Sequence, residues 1–430
     1  MLSSGEPMRR PDKVARAAGS GGSVPVECCQ VCGYAPLDNV LSLGYMPPVN
    51  QMVPVGHVPQ QQSWFPTNLL HCRECDLVQL GLAVDPSIIF PPEYPYTSGT
   101  TKLLRDNFAD LQRESSAMLG LGKDDLVVDI GSNDGTLLSN FKNAGVRVLG
   151  IEPTDVGNIA KSRGIPTLKR YFSVEVAREV TREHGKASVV TAANCFAHME
   201  DVHTIVDGIV AMLKDGGTFI SESHYLVALL DTVQYDTIYH EHLRYYSLAS
   251  LKHLLEMHDL EIFHAGPIPT HGGSIRVYAA KHGTHMVQES VRRMLASEPR
   301  GDAMSKRLAS FRRDVMLSKL RLLSMLRDLK EKGARIAGIS APSRASTLVN
   351  YVGLDEALID YICEVPGSLK IGKCMPGSQI PVVDEARLFE DQPAAAVIFS
   401  WHIADELAPK LRAKGFKGQL ITPLPEPRAL

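Results

Sequence analysis

The sequence predicts an α/β protein in three parts: a metal-stapled N-terminal module, a central Rossmann-like domain, and a smaller C-terminal α/β domain of similar pattern. Three observations predict this. Two CxxC pairs lie far apart near the N-terminus, a strand, glycine loop and helix follow one another from Leu126, and apolar strands alternate with helical stretches after Gly333. At 430 residues the chain also exceeds what one core usually holds. The pattern divides the chain into an unstructured leader over residues 1–25, the metal module over 26–88, the central domain over 89–305 and the C-terminal domain over 306–430.

Charge and leader exclude some partners. With 45 Lys+Arg against 48 Asp+Glu and no block of one sign, nucleic acid is not an expected partner. The start, "MLSSGEPMRRPDKVARAAGSGGSVP", is basic and rich in Gly and Ser but lacks the apolar core of a signal peptide. No later run reaches spanning length, so no membrane is expected and a cytoplasmic location is.

The metal module rests on Cys29-Gln-Val-Cys32 and Cys72-Arg-Glu-Cys75. Each pair can offer two thiolates to one tetrahedral ion, and four close the shell, so the expected group is a structural zinc with no open position for catalysis. A redox dithiol would instead place one CxxC at a helix start in a βαβ unit. Here the pairs flank the Pro-rich, weakly periodic "LGYMPPVNQMVPVGHVPQQQSWFP", whose small core needs a staple. Cys28, Cys195, Cys363 and Cys374 lack such spacing and read as packing residues.

In the central domain a polar helix is expected over Lys102–Leu119, then a buried strand over Leu126–Ile130. The strand is closed by Gly131-Ser-Asn-Asp-Gly135 and followed by Leu137, Leu138 and Phe141 at helical spacing. A second strand, Val146–Ile151, ends in Glu152, about 20 residues past the first loop glycine, where a doubly wound nucleotide site carries an acidic ribose ligand. A dinucleotide fingerprint would need G-x-G-x-x-G. Asn133 and Asp134 instead put a carboxylate where a pyrophosphate would be repelled. The segment "DIGSNDG", from Asp129, resembles the first motif of class I S-adenosylmethionine methyltransferases. That resemblance implies S-adenosylmethionine as cofactor, lined by Asp129, Gly131, Asn133, Asp134, Gly135 and Glu152, with Asn194 and His198 in the loop after the fourth strand.

Over nearly the whole chain beyond about residue 26, the sequence is similar to the sugar C-methyltransferases of deoxysugar biosynthesis. The residues that carry this are the CxxCG start, "LGYMPPVN", "CRECDLVQL", "YPYTSGT", "GSNDGTLL", "YDTIYHEHLRYYS", "HGGSIRVY", "NYVGL" and "PGSQIPV". The resemblance implies methylation at C3 of a nucleotide-linked 4-keto-6-deoxyhexose, a nucleotide-sugar partner, and a C-terminal domain that helps hold it; a monomer is favoured. It implies His242 as base, with Tyr239 and Glu241 beside it and His240, Tyr94 and Tyr96 as further site residues. It also places His271, Gly272, Ser274 and Arg276 of "HGGSIRVY" at the substrate.

The C-terminal pattern stands independently. A helix over Phe311–Leu329 stops at Lys332-Gly333, and strands follow in "ARIAGIS", "LIDYIC" and "AAAVIFS". Ser343 and Arg344, in a loop at a strand end, are expected to grip a diphosphate. In "YHEH", a helix would put Tyr239 and His242 on one face, whereas a strand would pair His240 with His242. The competing functions are an O- or N-methyltransferase, which needs no enolisation, and a non-enzymatic zinc protein with a Rossmann-like binding scaffold.

Overall fold

The computed structural model describes residues 10–11, 14–57, 61–90 and 97–430. The N-terminal strands are β1 (Ser23–Pro25), β2 (Asp38–Met46), β3 (Phe65–His71), β4 (Val78–Leu80) and β5 (Leu82–Val84). The central strands are β6 (Leu126–Ile130), β7 (Arg147–Ile151), β8 (Thr167–Leu168), β9 (Ala187–Ala193), β10 (Leu213–His224), β11 (Arg244–Tyr245), β12 (Leu260–Ile268) and β13 (Ser274–Lys281). The C-terminal strands are β14 (Ile336–Ile339), β15 (Tyr361–Glu364), β16 (Val382–Asp384), β17 (Ala395–Ile398), β18 (Gln419–Thr422) and β19 (Arg428–Ala429).

The central sheet has the order β12-β13-β10-β9-β6-β7-β8; β13 runs antiparallel to both its neighbours, β12 and β10, and the remaining pairs are parallel. All five residues of β6 are buried, as a strand covered by helices on both faces requires. The helix Lys102–Leu119 starts where the Thr101 side chain accepts the Leu104 N–H and stops at Gly120, whose φ of 64° is open to glycine. The buried residues Leu104, Phe108 and Leu111 form its apolar stripe, and the buried Ser115 hydroxyl donates to the Leu111 carbonyl. The C-terminal sheet, β16-β15-β14-β17-β18-β19, repeats the parallel pattern except for its last pair.

Two junctions position the site. Strand β11, just after "YHEH", pairs antiparallel with β4, so the central chain adds an edge strand to the zinc-module sheet β11-β4-β3-β2. The fully buried Arg244 in that strand bonds the side chain of Gln30, beside the first cysteine pair. One hydrophobic cluster also spans all three parts, joining Leu41 and Leu69 to Leu230, Tyr235 and Ile238, and to Leu348, Val349 and Trp401.

Two boundaries differ from expectation. The long helix runs over Asp302–Lys330, starting nine residues before Phe311, because Met304 and Leu308 extend its buried stripe back to Gly301. Residues 14–25, assigned by composition to an unstructured leader, pack on the central domain. There Glu200 accepts the Ala17 and Ala18 N–H groups, Ala17 is fully buried, and β1 pairs with β5. Among the described residues no helix is long and apolar enough to cross a membrane.

Candidate active site

The sulfurs of Cys29, Cys32, Cys72 and Cys75 all lie within 4.8 Å of one another, and none is in a disulfide. Zinc–thiolate bonds of about 2.3 Å place tetrahedral sulfurs about 3.8 Å apart. The observed Cys29–Cys75 and Cys32–Cys72 separations of 3.5 Å fit that shell. The Val31 and Cys32 N–H groups both point at Cys29 Sγ, 3.4 Å away, as in a metal knuckle. Substituting Cys72→Ser should release about one zinc per chain into a chelator and loosen the N-terminal sheets, while cofactor binding survives. Metal analysis of a folded, active enzyme without zinc would refute this.

The glycine loop fits an adenosyl cofactor. Gly131 and Gly135 have φ of 69° and 75°, and a Cβ on either would come within 2.9 Å of Cys195 or Ala160. Glu152, buried past the end of β7, accepts the Asn133 N–H at 3.0 Å, the Thr154 N–H at 2.9 Å and the Thr154 hydroxyl at 2.6 Å. A carboxylate has about four lone-pair sites, so these bonds orient it and leave capacity for a ribose hydroxyl. In the facing loop Asn194 sits at φ 60° with its buried Oδ1 unpartnered among the described residues. Asp129 accepts the Thr191 hydroxyl at 2.6 Å, and burial pushes its carboxyl up to about 7. Asn133 and Asp134 are spent on the protein itself. Asn133 Oδ1 accepts the Ser98 N–H at 2.8 Å, while Asp134 takes the Gly99 N–H at 3.0 Å and caps the next helix through Thr136. Replacing Glu152 with alanine should weaken S-adenosylmethionine binding tenfold or more, since charge-assisted bonds contribute roughly 1.5–3 kcal/mol each. Unchanged affinity by calorimetry would reject the assignment.

Beside this loop lies a group of buried rings. The "YHEH" segment is neither helix nor strand: Tyr235–Thr237 forms a 3-10 turn, and a tight turn then closes from the His242 N–H to the Tyr239 carbonyl at 2.9 Å. Tyr239 and His242 therefore meet, with ring centroids 4.1 Å apart. His242 also lies 5.0 Å from His198 and 4.9 Å from His224, and His224 lies 5.3 Å from His271. Burial holds His242 and His224 well below the ordinary histidine range and puts His198 and His271 at about 4. His240 turns away, onto Thr67 Oγ at 3.0 Å and the Phe65 ring.

Other expected residues divide by place. Glu241 accepts from Asn50 Nδ2 at 2.7 Å, and Ser343 donates to Asn50 Oδ1 at 2.9 Å, so one relay joins all three parts. His271 has φ 55° and Gly272 φ 88°, while Ser274 donates to the Thr270 carbonyl. Arg276 lies apart from the ring group: its guanidinium is taken by Glu222 at 2.6 Å, by Glu114 and by Asn107. Arg344, expected to grip a diphosphate, faces Asp236, Gln234, the His271 carbonyl and His402. Tyr94 and Tyr96 fall outside the described residues. Asn50, His224, Gln234, Asp236, Trp401 and His402 were not singled out from sequence. Asp236 stood inside a quoted stretch, "YDTIYHEHLRYYS", without being assigned a role.

Residues 29–90 match the family described as "Putative zinc binding domain", 103–265 the "Methyltransferase domain", and 269–425 the "C-methyltransferase C-terminal domain". The C-methyltransferase NovU of Streptomyces niveus is 33% identical over 412 residues, covering 94% of this chain and 97% of its own. Among solved structures, an S-adenosylmethionine-dependent methyltransferase from Clostridium acetobutylicum is 13% identical, covers 43% of this chain and 94% of its own, and has a TM-score of 0.34. Magnesium protoporphyrin IX methyltransferase from Synechocystis, with bound SAH, is 14% identical over 41% of this chain and 82% of its own, at TM-score 0.32. A relative matched end to end, with all three parts identified in order, places this chain in the C-methyltransferase family, as an S-adenosylmethionine-dependent enzyme with a structural zinc module.

Proposed function

We propose that the enzyme acts in the cytoplasm on a nucleotide-linked 4-keto-6-deoxy sugar, removes the C3 proton with His242, and methylates C3 of the resulting enolate. His242 is the observation that carries this reading. Its Nδ1 lies 2.7 Å from the Thr237 carbonyl, which can only accept, so Nδ1 bears the hydrogen and Nε2 keeps its lone pair. Burial keeps the ring neutral, the state a base needs.

The C3 proton passes to Nε2, and the C–H electron pair moves through C3–C4 onto the ketone oxygen. Tyr239, whose hydroxyl burial holds well above its ordinary range, stays protonated and can donate to that oxygen. S-adenosylmethionine, when bound, would supply an electrophilic methyl group to C3, its sulfur–methyl bond breaking and S-adenosylhomocysteine leaving. Glu241 and Ser343 are assigned to the sugar nucleotide, a reading supported by the Asn50 relay that ties both to the junction of the three parts.

The test is mass spectrometry of a panel of nucleotide-linked 4-keto-6-deoxyhexoses incubated with the protein and methyl-labelled S-adenosylmethionine. The expected product carries the label on carbon, stable to conditions that cleave methyl ethers and esters. Label on oxygen or nitrogen, or none with any member of the panel, would reject the proposal.

A further inference from the structure

Arg344 lies in the first turn of the C-terminal domain's helix Ser343–Val352, yet every donor it has points into the central domain or at a histidine of its own domain. Nε donates to Asp236 Oδ2 at 2.7 Å, and Nη2 to Asp236 Oδ1 at 2.8 Å and Gln234 Oε1 at 3.0 Å. Nη1 donates to the His271 carbonyl at 3.1 Å and to His402 Nδ1 at 3.3 Å. A guanidinium has five N–H bonds, so none remains for a phosphate. Asp236 is equally engaged: it also accepts the Trp401 Nε1–H at 2.8 Å, and Arg344 stands 4.9 Å over the Trp401 ring. Asp236 is 1% exposed and Arg344 6%.

This clasp grips the backbone that holds the reacting histidines. Asp236 is the middle residue of the turn Tyr235–Thr237, which is closed by the Thr237 hydroxyl on the Gln234 carbonyl at 2.9 Å. The next carbonyl, of Thr237, takes His242 Nδ1. The Ile238 N–H shares one planar peptide with that carbonyl and donates to the Tyr235 carbonyl at 3.0 Å, so the turn that Asp236 centres fixes the direction in which the Thr237 carbonyl points. On the other side, Arg344 holds the carbonyl of His271, a non-glycine residue at φ 55°, and Gln234 holds the following carbonyl, of Gly272, at 2.7 Å. Strained backbone of this kind persists only where its surroundings over-determine it.

We infer that Asp236 and Arg344 are positioning residues, the ion pair through which the docked C-terminal domain sets the tautomer of His242 and the strained turn at His271. The inference rests on the reading of His242 as the base. Its structural half can be tested without any substrate.

The experiment is nitrogen NMR of the full-length, zinc-loaded protein labelled at histidine, with His242 assigned by the signals lost in His242→Gln. Wild type should show His242 as one tautomer, with hydrogen on Nδ1. The double variant Asp236→Asn with Arg344→Gln removes both charges together, since removing one would strand the other. In it the two His242 nitrogens should average, and turnover should fall roughly 10–100-fold, the loss expected of a misaligned group, with S-adenosylmethionine affinity and zinc content unchanged. A double variant that loses stability but keeps the single tautomer and wild-type turnover would reduce the pair to a domain staple and overturn the inference. Should the double variant not fold, Trp401→Phe removes one bond to Asp236 and should give partial averaging and a smaller loss; a wild-type spectrum there overturns the inference. Normal turnover in His242→Ala would instead sink the base assignment and leave the tautomer result standing.

Discussion

His242→Ala should lower methyl-transfer turnover by roughly 10²–10⁴-fold, the share of a positioned general base, while both S-adenosylmethionine and the sugar nucleotide still bind. The loss belongs to kcat because the ring acts on the proton in flight. His240→Ala should be far milder, since that ring faces Thr67 and Phe65 of the zinc module. Tyr239→Phe should fall between them, because water can cover part of the enolate oxygen. The direction of the His242 shift adds a pH signature: burial lowers its pKa, so the acid limb of the rate profile should lie below the ordinary histidine value of about 6.5. Rate profiles of wild type and the three variants check this, and loss of activity in His240→Ala with retention in His242→Ala would move the base two residues back.

The second large effect is on stability. His198, His240 and His271 are neutral in the folded protein down to about 4, through burial, whereas in the unfolded chain each takes a proton below about 6.5. Between those values the unfolded chain binds more protons, so stability is full above about 6.5 and falls as pH drops toward 4. Each such histidine contributes on the order of a few kcal/mol of loss across that window. Asp129 and Glu222, raised by burial, act in the opposite sense but are outnumbered by the lowered histidines, which also include His224 and His402. Urea midpoints should therefore fall steeply between pH 7 and pH 5. A His240→Gln variant should show a shallower slope, by close to one proton near pH 5, and a slope identical to wild type would contradict the account.

How much of this was legible in the sequence depended on whether the signal was local. The helix Lys102–Leu119 and the strand Leu126–Ile130 appear with the expected bounds, because a capping threonine, a left-handed glycine and a continuous apolar run sit in the chain beside them. The four cysteines converge because the CxxC spacing itself encodes a knuckle. The leader misled because composition says nothing of Glu200, a carboxylate almost two hundred residues away that accepts its backbone. The "YHEH" geometry was undetermined for a different reason. Helix and strand periodicities each pair different residues, and the segment adopts neither, closing a turn that only its packing between three parts specifies. Arg344 shows the limit most plainly. An arginine after a strand looks the same in sequence whether it holds a phosphate or a buried aspartate from another domain.

The central claim is that the enzyme makes a carbon nucleophile by removing a proton from the sugar, and solvent exchange tests it most directly. A nucleotide-linked 4-keto-6-deoxyhexose that the enzyme methylates is incubated with it in heavy water, without S-adenosylmethionine, and recovered for mass spectrometry and proton NMR. Wild type should place one deuterium at C3 far faster than the uncatalysed rate, and His242→Ala should not. Methyl transfer to that sugar with no C3 exchange in wild type, or undiminished exchange in His242→Ala, would contradict the account.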